Sequence, residues 1–575
     1  MKIAQFATIL FFGGVLVLLT SCGGSSSTSP ITSFELVDPA PAEGDLFGNH
    51  VAILTNGNVV VTDPFESSIA SHAGAVHLYD PISQSIIHST YSITTDDRFG
   101  IFGIITLANG NFVIASPFAD VNSVTDAGTV QLFNGATGLA IGSAINGDAD
   151  SDQLGYVRTT ALSNGHFVIT SPYDDVNGVL NAGSVQVING TTGDKIGSSI
   201  VGDVEDDQIG SGGITELANG NFVISSPFDD AGGLIDAGSV KIINGETGVQ
   251  IGGSIVGDTQ FDQLGSAGIT ALVNGNYAIA SPNDEVNGVF QVGSVILFNG
   301  ETGVQIGSSI VGDAPSDRLG SAGITALANG NCVITSPYDD VGGIIDAGSI
   351  KLINGATGVQ IGSSIVGETD SDQLGLSGTT ALLNSNFVIT SPFDDVNGVN
   401  NSGSARLVNG TSGAQIGSTI SGDTDEDHLG VNGTTALSNS NFAIISPYDD
   451  LNNVIDAGSV RLINGTTGVP IGITVHGDSD YDRFGFGGVA ALANGNFVVA
   501  SPYDDVNGVT DAGSVQLING TTGAPIGSTI VGSFPDDVHN ATIKGSATGD
   551  FYVLGLPQAD NNALVSSGLV RLIAQ

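Results

Sequence analysis

The chain has 575 residues, with 58 Asp+Glu against 12 Lys+Arg and a formal net charge of −46. So acidic a body repels nucleic acid and anionic membrane surfaces and stays soluble, which excludes nucleic acid as a partner and leaves membrane contact only to a covalent anchor. With 2 Cys there is no disulfide framework, and 0 Trp weakens sugar-stacking and quinone-propeller readings, which need broad aromatic platforms.

Residues 1–21 read as a signal peptide. Lys2 supplies the positive start, and Ile9 to Leu19 is an apolar run too short to span a bilayer comfortably. The run ends in Leu19-Thr20-Ser21-Cys22, which resembles the bacterial lipoprotein box. The resemblance implies that Cys22 becomes a lipidated N-terminus. It places the protein in the bacterial cell envelope, at the outer membrane, and makes the lipid its one membrane contact. An ordinary secretory signal followed by a chance cysteine is the competing reading. Residues 22–32 then form a Gly/Ser tether that holds a folded body off the membrane.

Residues 33–575 are one repeat domain. Ser-Pro pairs at Ser116, Ser171, Ser226, Ser281, Ser336, Ser391, Ser446 and Ser501 stand 55 residues apart. Asp63-Pro64 lies 53 residues before the first and Leu556-Pro557 lies 55 after the last, which makes ten copies. A period of this size marks a repeat architecture. In one unit, Gly488 to Leu492 and Phe497 to Ala500 flank Asn494-Gly495, the sequence signal of a type I′ hairpin. Pro502 ends the second run, because proline cannot donate to a ladder. A polar loop leads to a third run, Ser514 to Ile518, and after a turn at Asn519 to Gly523 comes a fourth, Ile526 to Val531. No segment has ten residues at helical spacing.

The second run is apolar on consecutive residues, so both its faces are covered. Four-stranded meanders covered on both faces predict an all-β propeller of ten blades; a parallel β-helix is the competitor, with shorter coils and no need of these hairpins. Cys332 stands where most units carry phenylalanine and reads as a small core hydrophobe. The chain ends after a third strand, Gly568 to Ile573, while Ser33 to Val37 sits where a fourth strand belongs. The N-terminal strand is therefore expected to complete the last blade and close one ring, removing two exposed edges. Two smaller rings are the alternative, but the period shows no break.

The unit resembles the FG-GAP repeat of integrin α-subunit propellers and their bacterial surface relatives over about 540 residues. The FG element appears as Phe47-Gly48, Phe99-Gly100 and Phe484-Gly485, or as Leu154-Gly155, Ile209-Gly210 and Leu264-Gly265. The GAP element appears as Ala115-Ser116-Pro117, and the next strand opens with Gly513-Ser514-Val515. The resemblance implies a propeller for adhesion or display. The acidic calcium loop that this family often carries between its first two strands is replaced by Asn-Gly-Asn, so that site does not transfer.

The carboxylates recur in register. Asp45, Asp97, Asp152, Asp207, Asp262, Asp317, Asp372, Asp427, Asp482 and Asp537 share one place in the unit. Asp120, Asp175, Asp230, Glu285, Asp340, Asp395, Asp450, Asp505 and Asp560 share another, three after the proline. The first place lies between blades and the second between strands two and three, so strand counting puts both on one disc face and the Asn-Gly turns on the other. Three copies are denser: Asp148-Asp150-Asp152, Asp423-Asp425-Asp427 and Asp478-Asp480-Asp482 have the one-three-five oxygen spacing of a hard cation such as calcium. The competing reading is turn capping by aspartate, favoured by Asp97, Asp207, Asp262, Asp317 and Asp372, which recur where the triplet is incomplete.

The 8 His are scattered, and no nucleophile elbow, phosphate loop or zinc pattern is present. Two functions remain. One is a lipid-anchored, non-catalytic surface scaffold that binds a protein or polysaccharide or builds the envelope. The other is a propeller hydrolase or lyase acting on an extracellular polymer at the channel mouth. Near-identity of the copies favours the scaffold, because an enzyme breaks its symmetry with unique polar residues.

Overall fold

The computed structural model describes residues 33–156, 159–561 and 564–575; the leader 1–21, Cys22 and the tether to residue 32 lie outside the described residues. Ten four-stranded antiparallel sheets follow one another as blades. The ninth is typical: Val489–Ala491 lies innermost, then Phe497–Ser501, Ser514–Ile518 and, outermost, Pro525–Val531. Inner strands of neighbouring blades lie side by side, and Val51–Ile53 of the first blade lies beside Thr542–Gly545 of the last, so the blades form one ring. Threonines tie the inner strands into a belt: Thr215, Thr270, Thr325 and Thr380 each donate a hydroxyl to a carbonyl of the next inner strand, at 3.0–3.2 Å. The one helical element among the described residues is a three-residue 3-10 turn, Ala231–Gly233.

The last blade takes its fourth strand from the other end of the chain. Phe34–Leu36 pairs antiparallel with Leu569–Ala574, in the register Phe34↔Leu572, Glu35↔Arg571 and Leu36↔Val570. The ring is closed by this strand, two residues shorter than the run Ser33 to Val37.

The second strand packs to two sides. Phe497 and Val499 join Leu437, Val460 and Leu462 of the preceding blade, while Val498 joins Tyr552 and Leu554 of the following one. Consecutive apolar residues thus serve two separate inter-blade cores, which explains the unbroken apolar run.

The Asn-Gly hairpins are not type I′ turns. Gly110 N–H donates to Leu107 O (3.0 Å) and Leu107 N–H to Asn111 O (2.9 Å), and Gly110 has φ +86° while Asn109 stays at negative φ. This is the three-residue loop, a type I turn closed by a left-handed residue. Asn109 is needed for its side chain instead: its amide donates to Gly190 O of the next blade at 2.8 Å. Ser385 and Ser440 accept the left-handed place at φ 69° and 67°. The glycine that opens the other turn on this face is stricter, because a Cβ on Gly520 would meet Gly495 O at 1.7 Å.

Cys332 is fully buried, and burial pushes its thiol up to about 12. It is therefore expected to ignore thiol reagents in the folded protein and to react on unfolding. Mass spectrometry of the Cys332 peptide after labelling checks this; native labelling as fast as unfolded labelling would mean that the second strand of its blade opens.

Candidate functional site

The recurring aspartates build one face of the disc from within. Asp152 Oδ2 accepts the N–H groups of Asp148 (2.8 Å) and Ala149 (2.6 Å), and Oδ1 accepts that of Asp175 (3.1 Å). One carboxylate therefore staples the inter-blade loop to the loop between strands two and three, and both loops lie on the same face. Asp207 repeats this with Asp203, Val204 and Asp230, and Asp262 with Asp258, Thr259 and Glu285. So does Asp317 with Asp313, Ala314 and Asp340. Asp372 accepts from Glu368 and Thr369, and Asp97 from the Ser92 hydroxyl and the Asp120 N–H. Buried acceptors of two or three N–H groups have a structural task, and removing them strands those donors. The second aspartate series works locally: Asp175 Oδ1 accepts Asn181 N–H and Asp450 Oδ1 accepts Asp456 N–H, six residues on.

The first aspartate triplet does not gather as a triplet, and in all three the members divide between the inside of the loop and its surface. Asp152, Asp427 and Asp482 are buried staples, whereas Asp148, Asp150, Asp423, Asp425, Asp478 and Asp480 are exposed. Each middle residue turns to the preceding blade: Asp150 accepts Thr125 N–H at 3.0 Å, Asp425 that of Asn400 at 3.0 Å and Asp480 that of Ile455 at 2.9 Å. The oxygens that do gather come from Asp148, Asp152 and Asp174, within 4.8 Å of one another. Asp174 stands two after the proline, a place that one-three-five spacing cannot reach.

That place is paired with a cation in four blades. Asp229 meets Lys241 (2.9 Å), Asp339 meets Lys351 (3.5 Å), Asp394 meets Arg406 (3.0 Å) and Asp449 meets Arg461 (2.8 Å). The cation comes from the middle of the third strand. Gln186, Ile296 and Gln516 replace it in three other blades, where clefts of about 240, 250 and 380 Å³ open beside Asp174, Asp284 and Asp504. Burial, aided by Asp262 and Asp258, pushes Asp284 up to about 6.

The acidic face also carries apolar side chains in register. The residue after the proline is aromatic in eight blades: Phe65, Phe118, Tyr173, Phe228, Tyr338, Phe393, Tyr448 and Tyr503. All eight are half-buried, so the acidic face also carries a broken ring of aromatic side chains. Arg98 lies over Phe65 and Phe118 (5.9 and 5.8 Å), and Arg483 over Tyr448 and Tyr503 (5.4 and 5.8 Å). Position in the repeat was the available signal.

A family model described as a repeat of unknown function (DUF5650) matches residues 106–146, 161–211, 216–266, 271–321, 326–376, 381–423, 436–476 and 491–530, more than half of the chain. The chain belongs to this repeat family. The matched DUF5650 segments cover the regular blades and leave out the first and the last, where the ring is closed. No curated protein matches the chain. Among solved structures it is similar to a streptogramin B lyase, at 12% identity and TM-score 0.33 over 63% of this chain and 92% of that one. It is also similar to the computationally designed Ika8 protein, at 14% identity and TM-score 0.35 over 73% of this chain and 95% of that one. No residue role is carried over from either.

Proposed function

We infer that the protein is a lipid-anchored propeller of the bacterial cell envelope, anchored through Cys22. It acts without catalysis as a binding or adhesion scaffold of the kind that the FG-GAP resemblance implies. The observation that carries this reading is the aromatic ring on the acidic face. Half-exposed aromatic groups set among carboxylates give apolar contact area rimmed by charge, which is the composition of a recognition surface for a protein or polysaccharide. The buried aspartates beneath hold the loops still, so that the face is presented pre-formed. Calcium belongs to this reading only as a structural ion.

The experiment is retention of envelope polymers and proteins on the immobilised protein, compared with a variant carrying Tyr338→Ala, Phe393→Ala and Tyr448→Ala. Central aromatic anchors cost about 2 kcal/mol each when truncated, so the variant is expected to lose a component that the parent holds. A component held equally by both, or none held by the parent, overturns the binding face. Anchoring is checked separately: fatty-acid labelling is expected in the parent and absent in Cys22→Ala.

A further inference from the structure

The seam between the last blade and the first departs from the repeat in charge. In regular blades the residue before the proline is serine, and Ser226 Oγ accepts Gly210 N–H at 3.0 Å. The first blade has Asp63 there. Two after the proline it has Glu66, where the fourth blade has Asp229, and in the third strand it has His77, where the fourth has Lys241. His77 supplies no charge: it is fully buried, and burial pulls it down to about 4. The inter-blade loop adds Asp38 and Asp45, the latter at the place that the stapling aspartates hold in the regular blades.

These changes concentrate buried carboxylates at the seam. One oxygen each of Asp38, Asp45 and Asp63 lies within 4.8 Å of the others, and all three residues are buried, Asp63 completely. Glu66, 1% exposed, adds its charge to all three. Both oxygens of Asp63 and one each of Asp38, Asp45 and Glu66 have no hydrogen-bond partner among the described residues. None of the four forms an ion pair with a lysine or arginine among those residues, although four regular blades supply such a partner to a smaller acidic set. Buried charges are paired or coordinate metal ions, because an isolated one is too costly to desolvate.

We propose that Asp38, Asp45, Asp63 and Glu66 hold one hard divalent cation of the calcium class at the seam where the ring closes. The donors are all oxygen, which suits neither zinc nor other metals that prefer nitrogen and sulfur. Four buried carboxylates suit calcium, whereas magnesium keeps several waters and takes one or two carboxylates. The site joins the loop after the closing strand to the second strand of the first blade, so the ion acts as a clasp on the ring. This is independent of what the aromatic face binds.

The test uses the full folded chain, stripped with a chelator and titrated with calcium by calorimetry. Thermal midpoints are compared in chelator, calcium and magnesium at equal ionic strength. A tight calcium site and a calcium-specific rise in the midpoint are expected, since a ligand bound only by the folded state stabilises it. Asp63→Ser restores the residue of the regular blades and is expected to weaken the tight site about 100-fold, because affinity follows ligand charge count, and to abolish the rise. A variant with Asp423→Asn, Asp425→Asn and Asp427→Asn is expected to keep both. Absence of calcium binding, binding unchanged in Asp63→Ser, or binding lost in the triplet variant instead would each overturn the proposal.

Discussion

Deleting residues 33–37 is expected to lower the thermal midpoint and to promote aggregation. The strand Phe34–Leu36 is short, but it covers the edge of Leu569–Ala574 and buries Leu36 to 3% exposure among Phe47, Val570 and Leu572. Burial of a leucine contributes about 2 kcal/mol, and each ladder hydrogen bond about 1 kcal/mol more. Its loss also leaves a six-residue strand with open N–H and C=O groups, a template for pairing with another chain. Light scattering on the gel-filtered deletion reads the second effect directly. Because the deletion also shifts Asp38, a companion with Phe34→Ser and Leu36→Ser keeps that loop in place and isolates the strand. A deletion that melts and elutes like the parent would mean that the ring holds without its closing strand.

The repeat made most of this architecture legible. A constant period fixed the blades, the Ser-Pro pairs ended the second strands, and the missing final strand announced the closure. The turn type was misread because Asn-Gly is compatible with two loops. What decides between them is Asn109 reaching Gly190 in the next blade, a contact 81 residues away that no local signal encodes. The one-three-five spacing describes the oxygens only in part, for a related reason. One-three-five patterns place oxygens along one segment, yet the inter-blade loop turns Asp150 towards Thr125 and brings Asp174 in from another loop. The seam cluster was hidden by its irregularity: Asp38, Asp63 and Glu66 break the register that made the other carboxylates visible.

Arg461→Met is the second change expected to have a large effect, of about 3 kcal/mol, since removing one partner of a buried pair strands the other charge. Asp449 is the stranded group. Its side chain is 1% exposed, and beyond Arg461 Nη2 at 2.8 Å it is left with the Ser459 hydroxyl. The guanidinium also donates to Ser421 O of the preceding blade at 3.3 Å, so the same substitution loosens an inter-blade contact. Methionine keeps most of the stem's packing, which leaves charge as the main variable. If that is the cause, adding Asp449→Asn to Arg461→Met recovers most of the loss, because a neutral amide needs no counter-ion and still accepts the Ser459 hydroxyl. The denaturant midpoints of parent, single and double variants form the measurement. A double variant as unstable as the single would assign the cost to lost packing. A single variant as stable as the parent would show that this blade tolerates the open, unbalanced cleft that Gln186, Ile296 and Gln516 leave in the others.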